Sequence, residues 1–410
     1  MLIFMLLAAS WTLLAQTDPG PRNGPAQSGR PLQGLSPDEQ QAFGNGRGRF
    51  MEVENVRDGL GPRFNMDSCA GCHARPDVGG SSPAVNPQIA VAQRNGASNH
   101  VPAFLQSNGP VRAVRFRQNA DGTPDGGVHN LFVISGRTDA PAGCAIAQPD
   151  FTNAQNIVFR IPTPVFGLGL IESITDSALR ANLASTSAAR QQLGIRGRFN
   201  TGGNDGTITR YGWKAQNKSL LLFSGEAYNV EMGISNELFP QEREENSACN
   251  IGATPQDREG DILAFSAFMR FLAPAQQAPA DDSITRGRAV FDSAGCVLCH
   301  TATLTTGKAA SPALANQPVH LFSDLALHRM GQALNDGVNQ GVAQGDEWRT
   351  APLWGLGDRL FFMHDGRTRD LVQAITLHDS RGSEAHGVVQ NYQGLAAGQK
   401  QDLLNFLRSL

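Results

Sequence analysis

Cys69-Ala70-Gly71-Cys72-His73 and Cys296-Val297-Leu298-Cys299-His300 repeat one pattern, Cys-x-x-Cys-His. That pattern attaches a c-type haem. Cysteines three apart on a helical turn both reach the vinyl groups on one porphyrin edge. The histidine that follows lies under the iron and ligates it through a ring nitrogen. A zinc ribbon also pairs two Cys-x-x-Cys units, but these stand about 15–20 residues apart. Here they lie in opposite halves of the chain. A thioredoxin-like site needs one motif and no histidine after it. The sequence therefore predicts two covalently bound haem c groups, with His73 and His300 as proximal iron ligands.

The compartment agrees. Residues 1–15 start Met1-Leu2-Ile3-Phe4-Met5-Leu6-Leu7 and stay largely apolar, which reads as a secretory signal peptide. The run is short for a bilayer span. It also lacks the Lys or Arg of a typical n-region, so a retained anchor is the competing reading. Export fits the haems, because c-type attachment takes place outside the cytoplasm. No later run is long enough to span, so the mature chain is expected to be a soluble periplasmic protein with no stable membrane insertion.

The 410 residues carry a net charge of −3 with 17% charged residues. That balance gives no case for nucleic acid or an anionic membrane as partner. The 45 glycines and 23 prolines imply many loops and turns around a cofactor. Calcium is compatible with such loops, but nothing in the sequence calls for it. Cys144 and Cys249 remain once the haem cysteines are counted. In an oxidising compartment a disulfide between them is favoured over two buried thiols.

Residues 16–34, rich in Pro and Gly, read as a flexible linker. An N-terminal haem domain with large insertions follows at 35–275, and a C-terminal cytochrome c-like domain at 281–410. The break falls in the Pro/Ala/Gln stretch Ala273–Ala280. Gly287 and Phe291 precede the second motif, and Gly46 and Phe50 precede the first at a longer distance. The two halves thus look like diverged copies of one module. Asp261–Leu272 and Gln399–Leu410 have helical apolar spacing. Val111–Phe116 and Leu131–Ser135 read as strands between turn signals. The expected fold is mainly α with β-rich insertions, built as two cytochrome c-like domains with one haem each.

Further stretches bring a resemblance. Gly61-Pro62-Arg63-Phe64-Asn65 leads into the first motif. Arg160–Glu172, Tyr211-Gly212-Trp213-Lys214-Ala215, Glu231-Met232-Gly233-Ile234, Glu347–Trp354 and Met363-His364-Asp365-Gly366-Arg367 follow. Together they resemble the di-haem oxidoreductases, also called di-haem peroxidases or thiol oxidoreductases, which are relatives of bacterial di-haem cytochrome c peroxidases. The resemblance implies two facing haem domains wired for electron transfer, with a redox protein as electron donor or acceptor. It implies hydrogen peroxide as substrate, reduced at the N-terminal haem with electrons relayed through the C-terminal one.

The resemblance also assigns residues. The sixth ligand of the C-terminal iron falls on His378, where the peroxidases usually carry Met; Met330 and Met363 compete. Glu231 is the distal acid–base candidate, and Trp213 lies near the inter-haem path. A glutamine of the peroxidase segment is missing, with Leu221-Leu222-Phe223 in its approximate place. The N-terminal iron is open in this reading, or closed by His100 or His129. His364, Asp365 and Arg367 are placed around the second haem, with Arg367 pairing a propionate. Trp348 and Trp354 are either core or electron path. Two other classes stay open: a non-catalytic electron-transfer cytochrome, and an oxygenase or oxidase of an organic substrate.

Overall fold

The computed structural model describes residues 16–22, 28–241, 247–250, 255–257 and 260–410; the expected signal peptide lies outside them. Six helices organise the two sites: α1 (Pro37–Met51), α2 (Leu220–Met232), α3 (Asp261–Phe271), α4 (Asp282–Ala294), α5 (Leu371–Thr376) and α6 (Ala397–Ser409).

The halves are built alike. In each, the opening helix packs against the closing one: α1 on α3, and α4 on α6. Ser36 and Glu39 cap α1 reciprocally, with Pro37 in its first turn. Asp281 caps α4 by accepting from the Ile284 N–H at 2.7 Å. Both crossings require glycine. A Cβ on Gly46 would stand 2.2 Å from the Ala264 carbonyl oxygen, and one on Gly287 would stand 2.0 Å from that of Asp402.

Four residues on, one turn along the same face, comes a buried phenylalanine. Phe50 lies 5.9 Å from the His73 ring and 4.9 Å from Phe268. Phe291 lies 6.4 Å from the His300 ring and 5.4 Å from Phe406. The Gly and Phe of the sequence repeat therefore do the same two things twice. They bring the helices together and pack beside the haem-motif histidine.

The insertions contain less strand than expected. Ala113–Phe116 is the centre of a three-stranded antiparallel sheet, between Val128–His129 and Ile157–Arg160. Arg63–Phe64 pairs with Phe132–Val133, where a longer strand was expected from Leu131 to Ser135. Buried amides replace the missing strand neighbours. Asn99 accepts from the Val133 N–H and donates to the Val133 and Ala92 carbonyls. Gln88 accepts from the Arg112 N–H and donates to the Arg112 carbonyl. Such pairing satisfies buried backbone without a ladder.

Described residues of the expected flexible linker at 16–34 are instead tied down at several points. Asp18 makes a two-point ion pair with Arg408, both contacts at 2.7 Å, and Arg22 pairs with Asp358. Leu32 N–H donates to Phe271 O, and Ala273 N–H to Arg30 O. Composition suggested freedom, but partners on both halves hold Asp18, Arg22, Arg30 and Leu32.

Cys144 and Cys249 form a disulfide, 105 residues apart. Cross-linking so long a loop restricts the unfolded chain, so Cys144→Ser with Cys249→Ser is expected to cost about 2–5 kcal/mol. Chemical denaturation measures this. An unchanged midpoint and slope would show that the bond does not stabilise the fold.

Candidate haem sites

Two cavities lie at the two motifs, of ≈ 180 Å³ in the N-terminal half and ≈ 230 Å³ in the C-terminal half. Cys69, Cys72 and His73 line the first; Cys296, Cys299 and His300 line the second. Cys69–Cys72 is a single helical turn, and Cys296–Leu298 a tighter one. The turn sets both sulfurs and the imidazole on one cavity wall. Burial pushes the Cys69 and Cys296 thiols up to about 12, so neither is an ionised nucleophile at neutral pH.

Both histidines are prepared as metal ligands. His73 Nδ1 lies 3.0 Å from Gly80 O, and His300 Nδ1 lies 3.0 Å from Phe322 O. A carbonyl accepts only, so Nδ1 carries the proton and Nε2 keeps its lone pair. Burial lowers both pKa values to about 4, keeping the rings neutral.

The arginines test the fit of a group with anionic propionates. Arg112, Arg115 and Arg160 line the first cavity, and each has a buried Nε with no hydrogen-bond partner. Arg359 lines the second with its Nε likewise unpaired. Burial pushes Arg359 down to about 10, and among the described residues no carboxylate offsets this. Arg160 is already ion-paired with Asp336 at 2.5 Å, but each of these buried guanidinium groups keeps an unfilled donor, which an anion would complete. The residues therefore fit haem at both sites. Arg367 does not line the second cavity; it pairs with Asp365, Nη2 to Oδ2 at 2.6 Å. That local ion pair turns its guanidinium away from the role expected of it.

The remaining walls differ. His378 lines the second cavity just past α5, and its Nδ1 lies 2.7 Å from Ala374 O, leaving Nε2 free as in His73 and His300. Burial lowers its pKa too. Met330 and Met363 line the same cavity. In the first cavity the only histidine on the wall, among the described residues, is His73. His100 is exposed. His129 binds Asp125 at 2.6 Å and stacks on Phe116, so neither reaches the cavity. Glu231 of α2 does, accepting from Asn65 Nδ2 at 2.9 Å, while Leu131 N–H fixes the Asn65 amide from its other end. Gln216 lines the same wall with a buried, unpaired carbonyl oxygen.

Trp213 lines both cavities. Its ring is 6.4 Å from those of Trp348 and His364, which stack on each other at 3.8 Å. The Lys214 ammonium sits 4.0 Å from the Trp348 centroid, held by the carbonyls of Gln344, Gly345 and Glu347. Trp354 is part of the first hydrophobic core. Beside the second motif, His328 bridges Asp324 and Glu384, and Arg190 closes on Asp324 at 2.6 Å. Cys299, Asp324 and His328 have metal-ligand spacing, but the Cys299 sulfur belongs to the haem motif.

A family model described as "Di-haem oxidoreductase, putative peroxidase" matches residues 135–410. The chain belongs to the di-haem oxidoreductase family. It is a haem-dependent oxidoreductase. Among solved structures it is similar to the diheme peroxidase BthA from Burkholderia thailandensis, at 15% identity and a TM-score of 0.40, covering 93% of this chain and 86% of that one. A variant of BthA matches at 17% identity and a TM-score of 0.36, with the same coverage. Hydrazine synthase from Kuenenia stuttgartiensis matches at 15% identity and a TM-score of 0.35, covering 100% and 99%. No curated protein matches.

In this di-haem oxidoreductase the first motif precedes the matched region, so its own geometry carries that site. Sequence reasoning missed the cavity arginines, which come from three separate segments. It also missed Gln216, whose signal was its place directly after the Tyr211–Ala215 stretch, three residues past Trp213. Among the described residues no helix is long and apolar enough to cross a membrane.

Cys69→Ala or Cys296→Ala is expected to disrupt attachment of one haem each. Haem staining of denaturing gels and intact mass report this. Normal attachment of both haems in either variant would exclude the motif reading.

Proposed function

We propose that this is an exported di-haem c-type peroxidase, reducing hydrogen peroxide at the N-terminal site with electrons relayed through the C-terminal one. The observation that carries the reading is the asymmetry of the cavities. The second sets His378 on its wall besides His300; the first sets Glu231 and Gln216 there and, among the described residues, no further histidine. An iron with a second imidazole suits relay, and an iron without one suits substrate.

Bound haem supplies the iron that takes up electrons and binds a peroxide oxygen. Reduction of one peroxide to two waters takes two electrons and two protons. The protein's part is to place and move those protons. Glu231, steadied by Asn65, moves a proton from the near oxygen to the leaving one. The unpaired Gln216 carbonyl accepts from the peroxide O–H and orients it. Arg112, Arg115 and the free Nε of Arg160, or Arg359 in the second site, would hold the propionates. Trp213 with Trp348 and His364 gives electrons an aromatic path between the sites, from an external redox protein.

Peroxide turnover by oxidised and half-reduced protein, with several electron donors, tests the proposal. Turnover with a high-spin fraction in the resting spectrum supports it. Met66, Met232 and Met269 also line the first cavity, and a thioether closing that iron would favour the relay cytochrome. Purely low-spin haem without turnover would select that reading; turnover only of an organic substrate would select the oxygenase.

A further inference from the structure

Behind the first cavity lies a buried polar cluster that the reading above does not use. Tyr228 stands one turn before Glu231 on α2, and both line the cavity. Its ring meets Phe265 edge-on with centroids 5.0 Å apart. The Tyr228 hydroxyl lies 3.1 Å from Glu54 Oε1 and 3.2 Å from Asp261 Oδ2. Both carboxyl groups are buried, Glu54 5% and Asp261 8% exposed.

The count of protons decides what this cluster is. A phenol has one proton to donate. It satisfies one carboxylate, and the second contact is a hydrogen bond only when that carboxyl is itself protonated and donates to the phenol oxygen. Two bare carboxylates on one donor would leave buried lone pairs facing each other. The cluster is thus built to hold one proton beyond the phenol's own.

Its surroundings favour that proton. Glu52 just past α1, Asp58 after it and Asp257 before α3 all add negative potential. Arg49 of α1 opposes them, 3.3 Å from Asp261 Oδ1. Asp67, whose carbonyl accepts from the Glu54 N–H, has its carboxylate paired with Arg94. Cys69 becomes a thioether and does not titrate. Glu231 faces the same cavity. Burial pushes Glu54 up to about 7, while the Tyr228 hydrogen bond pulls the other way. The Arg49 side chain, 37% exposed, marks the solvent end.

We propose that Asp261, Glu54 and Tyr228 form a proton-loading relay from solvent to the first cavity, coupling proton uptake to reduction at that site. The proposal rests on the N-terminal site being the haem-bearing, reactive one. In the coupled step an external one-electron donor supplies the electron, and the carboxyl pair takes one proton from solvent. The added electron raises the affinity of the pair for its proton, so the two arrive together. Peroxide chemistry then draws that proton through the Tyr228 hydroxyl.

The sign follows from linkage. Below the carboxyl's pKa in both redox states the proton is bound throughout, and the potential is flat. As pH rises through the oxidised-state pKa, reduction must take up a proton, and the potential of the first haem falls. Above the reduced-state pKa it is flat again.

The test is a redox titration of the haem-loaded protein from about pH 5 to about pH 9. The wild type is expected to show the fall, and Glu54→Gln to flatten it. Tyr228→Phe removes a bond that favours the ionised carboxyl, so it is expected to move the fall to higher pH. Asp261→Asn is the second carboxyl variant should Glu54→Gln not fold. A pH-independent wild-type potential overturns the proposal. So does a slope kept in the folded carboxyl variants, which would assign it to the propionates, or a break unmoved in Tyr228→Phe. Peroxide is absent from this measurement. A wild type that titrates as expected but turns over no peroxide therefore removes the peroxidase reading and leaves the relay standing.

Discussion

Glu231→Gln is expected to lower peroxide turnover by about 10²–10⁴-fold while both haems stay attached and their spectra stay nearly intact. O–O cleavage needs a proton delivered to the leaving oxygen, and an amide cannot take one from the near oxygen and return it. The swap nearly preserves shape. It also keeps an acceptor for Asn65 Nδ2, which now donates to the Glu231 carboxylate at 2.9 Å. A merely structural carboxylate would show the opposite pattern, with lower stability and unchanged turnover per folded molecule. Steady-state rates normalised to haem content, beside a thermal melt, separate the two. Unchanged turnover in folded, loaded protein removes Glu231 from the chemistry.

The second large effect is expected at His378. His378→Ala should convert the C-terminal haem from low-spin to high-spin, because the bonded Nδ1 leaves Nε2 as the atom that would ligate an iron. His378→Met should keep a sixth ligand and raise that haem's potential, since a thioether favours ferrous iron more than imidazole does. Axial ligands move haem potentials across about 0.8 V, so a change on the order of 0.1 V is expected. Spectroscopy and a redox titration read both variants. Low-spin signal kept in His378→Ala, with neither potential changed in His378→Met, would assign the sixth position to Met330 or Met363, which share the wall.

Much of this was legible because it is local. A Cys-x-x-Cys-His run carries its geometry in its spacing, since one helical turn fixes where the sulfurs and the imidazole point. Gly46 and Phe50, like Gly287 and Phe291, are four apart, so one helix face carries both the close crossing and the ring beside the histidine. The Cys144–Cys249 pair followed from compartment and elimination. Trp213 and Glu231 were placed by resemblance, through stretches that held together as motifs.

What the sequence alone could not assign depends on which charges find partners. Arg367 and Arg359 stand eight positions apart and look alike in the chain. Asp365 neutralises the first from two residues away, while the second is left in the cavity wall with an unpaired Nε. Residues 16–34 have a linker's composition, yet Arg408 holds Asp18 and Asp358 holds Arg22. Tyr228, Glu54 and Asp261 come from three segments, and only folding puts one hydroxyl between two carboxyls. A haem-attachment motif and a helical period are short-range and written into adjacent residues. The fate of a buried charge or proton depends on every group that burial brings to it, so the tertiary structure alone decides it.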